Sequence, residues 1–99
     1  MIKYLKEENF DEEIKDGVVL VDFYADWCGP CKMMGQVLET MEDINVLKVN
    51  TDEFDELSMK YGVMSIPTII LFKDGKEVAK NIGFMAREEL EEWINQNSK

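Results

Sequence analysis

The chain has 99 residues, with 11 Lys and Arg against 21 Asp and Glu, no His, and a net charge of −10. Its length suits one domain built on one core, expected over residues 1–99 as a whole, and the charge repels nucleic acid and anionic membranes, so neither is an expected partner. No apolar run is long enough to span a bilayer, and the segment Met1–Glu8 lacks the apolar core of a signal peptide. The cytoplasm is therefore the expected location, and there a pair of cysteines is kept largely reduced.

Taken in order, Ile2 to Leu5 reads as a short edge strand. Asn9 with Glu12 reads as an N-cap and its capping-box partner, opening a short helix to about Asp16 that Gly17 ends. Val18 to Tyr24 has the length and the β-branched and aromatic content of a buried central strand. After it, apolar residues at 34, 37, 38 and 41 carry helical spacing to about Glu42. Asn45 to Val49 predicts a strand with Leu47 and Val49 on one face and Val46 and Lys48 on the other. Thr51 or Asp52 is the expected cap of a third helix through Phe54, Leu57, Met59 and Tyr61, stopped at Gly62. Thr68 to Phe72 is another buried strand. Asp74-Gly75 is a hairpin signal, so Glu77 to Ile82 is expected to pair antiparallel with it. A last helix from about Arg87 to Gln96 places Leu90, Trp93 and Ile94 on its core face. Together these elements predict a mixed sheet with helices on both faces, an α/β architecture.

Both cysteines, Cys28 and Cys31, fall where the central strand ends and the helix begins. With Cys28 as the cap, Gly29, Pro30 and Cys31 form the first turn, where proline is tolerated because first-turn amides lack partners within the helix. The Cys28 sulfur then faces unpaired N–H groups and the positive end of the helix dipole, which favour the nucleophilic thiolate. Residues i and i+3 lie on one helical face with Cα atoms roughly 5 Å apart, within the range of a disulfide. The blander readings are two ordinary buried cysteines, or half of a metal site completed by a second chain. Zinc normally takes four Cys or His ligands and this chain offers two.

Val21-Asp22-Phe23-Tyr24-Ala25-Asp26-Trp27-Cys28-Gly29-Pro30-Cys31-Lys32-Met33 resembles the active-site segment of the thioredoxin family. The likeness continues through Tyr61-Gly62-Val63-Met64-Ser65-Ile66-Pro67-Thr68, Leu71-Phe72-Lys73-Asp74-Gly75 and Ile82-Gly83, in the family's order. The resemblance implies the thioredoxin fold and a general protein-disulfide reductase working through a reversible Cys28–Cys31 disulfide, with no bound cofactor and no metal. It implies disulfide-containing proteins as substrates, re-reduction by a thioredoxin reductase, and a monomer. By the same resemblance Asp22 is a buried proton acceptor for Cys31, and Lys48 supports that carboxylate, though by itself Lys48 reads as a snorkelling edge lysine. Gly29 and Pro30 shape the motif. Pro67 is held cis in the family, whereas only about one in twenty X–Pro bonds is cis in proteins generally. Trp27, Ile66, Pro67, Ile82, Gly83 and Phe84 would line a shallow apolar groove for an extended substrate segment.

The chain departs from the family pattern in four places. Gln36 follows Gly35 where a kinking proline is common, the segment from Glu39 to Asn45 is shorter, Tyr24 replaces tryptophan, and Phe84 stands where a small residue is usual. Met33, Met34, Met64 and Met85 read as core or groove lining. From other functional classes, a binding module with incidental thiols and an interchain metal or iron–sulfur site remain as alternatives.

Overall fold

A computed structural model describes all of residues 1–99. Five strands, β1 (Ile2–Tyr4), β2 (Val18–Tyr24), β3 (Asn45–Asn50), β4 (Thr68–Lys73) and β5 (Lys76–Ile82), form one sheet in the order β1-β3-β2-β4-β5. β1, β3 and β2 run parallel, and β4 and β5 are antiparallel to their neighbours. The hairpin between β4 and β5 turns at Asp74 and Gly75, with φ of 50° and 84°. Two successive positive φ values are what an Asp-Gly pair tolerates best.

Four helices cover the sheet: α1 (Phe10–Ile14), α2 (Gly29–Glu39), α3 (Asp55–Lys60) and α4 (Arg87–Asn97). Because strand side chains alternate, each central strand feeds two cores, one on each face of the sheet, where the length suggested one. Val19, Val21 and Phe23 of β2 join Leu47, Val49, Ile70 and Phe72 with α1 and α3 on one face. Leu20 joins Val46, Ile69 and Leu71 with Met34 and Leu38 of α2 and Leu90 of α4 on the other. This is the mixed sheet with helices on both faces that the sequence predicts.

Helix boundaries differ from the sequence reading at three ends. Asn9 holds the N-cap position of α1, but its side chain makes no capping bond, its amide donating to Glu13 at 3.2 Å, and the helix ends at Ile14, short of Asp16. α2 stops at Glu39, and the N–H groups of Thr40 and Met41 bond back three residues to Val37 and Leu38, so the final turn tightens before Glu42 is reached. α3 begins at Asp55 and is capped by neither Thr51 nor Asp52. Asn50 holds the turn before it, its Oδ1 accepting from the N–H groups of Asp52 at 2.8 Å and Glu53 at 3.3 Å, and Phe54 stands at the N-cap position. Met59 is exposed, not a core residue of α3.

Ile70 is wholly buried in the centre of β4. Ile70→Ala should cost about 2–5 kcal/mol, read as a lower midpoint in denaturant melts with an unchanged slope.

Candidate active site

β2 delivers the chain to α2 with a turn at Ala25–Trp27, and the cysteine pair sits at that junction. Cys28 is the N-cap in extended conformation (φ −93°, ψ 113°), and Pro30 occupies the first turn. The Cys31 N–H points at Cys28 Sγ, 3.2 Å away. A helix amide aimed at the sulfur stabilises negative charge there when the pair is reduced. The two cysteines form a disulfide with Cα atoms 5.2 Å apart. Both cysteines are buried, Cys31 slightly more than Cys28.

Around the disulfide the surface is apolar and open. Trp27 is 72% exposed, with its indole N–H donating to Asp52 Oδ2 at 3.0 Å, and Ile82 and Phe84 are exposed as well. Ile66 packs against the cysteines, and its carbonyl oxygen lies 3.8 Å from Cys28 Sγ. The Ile66–Pro67 bond is cis, and the Pro67 carbonyl accepts from Gly83 N–H at 2.8 Å, which ties the two groove loops together. Gly83 has φ of 100°, and the space beside its Cα is open, as are the surroundings of Gly29. A side chain at Gly83 would adopt a strained backbone and close that approach. Of the residues expected to line a groove, Ile66 packs on the cysteines, Trp27 precedes Cys28, and the Gly83–Pro67 bond brings the Ile82–Phe84 segment to the same proline loop. The cleft of about 390 Å³ lined by Val18, Met41, Ile44 and Ile94 lies at the opposite end of β2 and α2.

Asp22 is fully buried in β2. Its face of the strand carries Leu20, packed with Met34 and Leu38, and Tyr24, packed against the cysteines, so the carboxylate sits beneath α2 between them. The β2–β3 register sets Asp22 opposite Lys48, and Lys48 Nζ lies 3.5 Å from Asp22 Oδ2. Lys48 is on an interior strand and nearly buried, not a snorkelling edge lysine. Neither Asp22 oxygen has a hydrogen-bond partner. Burial raises the Asp22 pKa from 3.8 to about 6, and the positive charge of Lys48 opposes the rise without cancelling it. No group of three or more Cys, Asp or Glu side chains converges as a metal-binding set.

The thioredoxin family model matches residues 1–96. The chain belongs to the thioredoxin family. Thioredoxin from Chlamydia caviae is 48% identical over 99% of this chain and 100% of its own length, and that from Bacillus subtilis is 44% identical over 92% of each. A solved mutant thioredoxin from Halobacterium salinarum NRC-1 superposes with a TM-score of 0.89 at 37% identity, covering 99% of this chain and 91% of that one. Thioredoxin membership makes the chain a thiol-disulfide oxidoreductase, and Cys28–Cys31 is its redox-active disulfide. No helix is long and apolar enough to cross a membrane.

Two contributors to this thioredoxin site had no sequence signal of their own. Asp52, read as a helix cap, holds the Trp27 indole, and Tyr4 of the edge strand reaches the Lys48 ammonium. Both meet the site through strand register and loop packing, which local pattern does not encode.

The Asp22 pKa has a consequence for stability. Between pH 3.8 and about 6 the folded chain holds a proton that the unfolded chain has released, so stability falls as pH rises through that window. The cost persists at neutral pH. Asp22→Asn should therefore be more stable than the parent at pH 7, by on the order of 1–3 kcal/mol, with the gain gone near about pH 3.5. Denaturant melts of the oxidised proteins at the two pH values measure it, and equal stability at pH 7 would contradict a buried, ionised Asp22.

Proposed function

We propose that this thioredoxin is a general protein-disulfide reductase in which Cys28 is the nucleophile and Cys31 resolves. The observation that carries the reading is the capped cysteine at the end of β2, with a helix amide on its sulfur and an open apolar surface around it. Cys28 thiolate attacks one sulfur of a substrate disulfide, forming a mixed disulfide, and the other substrate sulfur leaves as a thiolate that takes a proton from water. Cys31 then gives its proton to the Asp22 carboxylate and attacks Cys28 Sγ. The Cys28–Cys31 bond forms, and the second substrate thiolate is released. Two electrons pass to the substrate, and the chain is left in the oxidised form.

Asp22 suits the second step because a carboxylate with a pKa of about 6 is ionised at neutral pH yet accepts a thiol proton more readily than an ordinary carboxylate. Lys48 supports it by opposing the cost of burying that charge. Substrate pairs through its backbone with Ile66, beside cis Pro67, and lies over Trp27, Gly29, Pro30, Ile82, Gly83 and Phe84. Main-chain pairing accepts many sequences, as a general reductase requires. Phe84, where the family usually has a small residue, narrows the choice of partner. A flavin-dependent thioredoxin reductase returns the disulfide to the dithiol, and the chain acts as a single domain, a monomer, in the cytoplasm.

Reduction of a disulfide-containing protein by dithiothreitol, with catalytic amounts of the chain, tests the reading. Wild type should accelerate the reaction over many turnovers, Cys28→Ser should not, and Cys31→Ser should accumulate the mixed disulfide. Asp22→Asn should slow resolution of the mixed disulfide on the order of a hundredfold at neutral pH, and the wild-type step should slow as pH falls through about 6. Folded wild type without acceleration would sink the reductase reading. Unchanged resolution in Asp22→Asn would remove Asp22 alone.

A further inference from the structure

The buried carboxylate and the three side chains grouped with it come from three adjacent strands. The parallel registers set Tyr4 of β1 opposite Lys48 of β3, and Lys48 opposite Asp22 of β2, in one row across the sheet. Lys48 Nζ lies 4.5 Å from the ring centroid of Tyr24 and 5.7 Å from that of Tyr4, and the rings meet edge to face at 6.3 Å. On the helix side the neighbour is Gly35, where a Cβ would stand 3.3 Å from Nζ. The ammonium is therefore enclosed by two aromatic rings, a glycine backbone and the carboxylate.

We propose that Tyr4 and Tyr24 are positioning residues for thiol–disulfide exchange, forming a two-ring cradle that holds the Lys48 ammonium against Asp22. A lysine stem is long and flexible, and at 3.5 Å the ion pair has no hydrogen bond to fix its geometry. Without the rings Lys48 can turn out past Tyr4, itself half-exposed, into water, where an ammonium is well solvated. The negative faces of two rings offset that pull, since a cation over an aromatic face is attracted by its quadrupole. The Gly35 backbone leaves the room that the ammonium occupies, and a larger residue there would press on Nζ. The inference deepens the reading of Asp22 as proton acceptor, and supplies a role for the tyrosine that replaces the family's tryptophan.

Lys48 from β3 is the charge facing Asp22, Cys28 and Cys31 at the start of α2 pack against Tyr24 of the same strand face, and β4 brings the apolar Ile69 opposite. Asp26, Tyr4, Asn50 and Glu53 act on the Tyr24 phenol, whose pKa is raised chiefly by burial. In the oxidised protein the cysteines do not titrate, so the Asp22 carboxyl can be followed alone.

The test is the titration of the Asp22 side-chain carboxyl by carbon NMR in the oxidised protein. It is read in wild type, Tyr4→Leu, Tyr24→Leu, the two Phe variants and Lys48→Met, each checked for folding by its thermal melt. Lys48→Met should raise the titration midpoint and sets the ceiling. Each Leu variant should raise it by roughly half to one pH unit, a three- to tenfold shift in the proton equilibrium, while Tyr4→Phe and Tyr24→Phe, which keep the rings, stay at the wild-type value. A merely space-filling tyrosine gives the opposite sign, because removing it admits water and lowers the midpoint. An unchanged or lowered midpoint in the Leu variants, Phe variants that shift as far as Leu, or no rise in Lys48→Met overturns the cradle. The readout needs no turnover, so it stands apart from the kinetic test of Asp22: a shifted titration with unchanged mixed-disulfide resolution would retire the proton-acceptor role and the cradle's part in exchange, while the hold of the rings on Lys48 would stand.

Discussion

Strand β2 is hydrogen-bonded along both edges and buried on both faces, and the rest of the molecule is arranged to satisfy it. A strand in that position has no route to water except at its ends. Its C-terminal end is where the backbone emerges, turns and starts a helix, so the unpaired amides of α2 lie at the surface. The cysteines stand at that emergence. The apolar residues of β2 hold one core to α1 and α3 and the other to α2 and α4, which makes the position of the α2 N-terminus a consequence of core packing.

The same constraint makes Asp22 costly. A carboxylate in a doubly buried strand loses water on every side, and the structure supplies one ammonium at ion-pair distance and no hydrogen bond. Stability is sacrificed locally and recovered in two apolar cores, whose fully buried members include Leu20, Phe23, Ile69, Ile70, Leu71 and Leu90. A carboxyl poised near pH 6 beside a thiol is what that expense makes available. Such conflicts between burial and charge gather where chemistry is done.

How far the sequence could be read depended on the range of the interaction. Helix α2, strands β2 to β5 and the Asp-Gly hairpin were legible because their signals, hydrophobic period and turn chemistry, are local. The capped Cys28 was legible for the same reason. Helix ends were less so: Asn9 holds the N-cap position of α1 but points its amide at Glu13, and Asn50, the last residue of β3, holds the turn assigned to Thr51 or Asp52.

By itself the sequence determined the alternation of elements, the faces of β2 and β3, and the reactive placement of the cysteines, since each follows from neighbours a few residues apart. Only the tertiary structure decided that Lys48 belongs to an interior strand, that its register sets it opposite Asp22, and that Tyr4, 44 positions away in sequence, shares that row. It also brought Asp52 to the Trp27 indole and joined Pro67 to Gly83 beside Cys28. The physical reason is that strand order and register are set by how two whole faces pack against helices, and a chain read locally carries the parity of each strand but not which strand lies beside it.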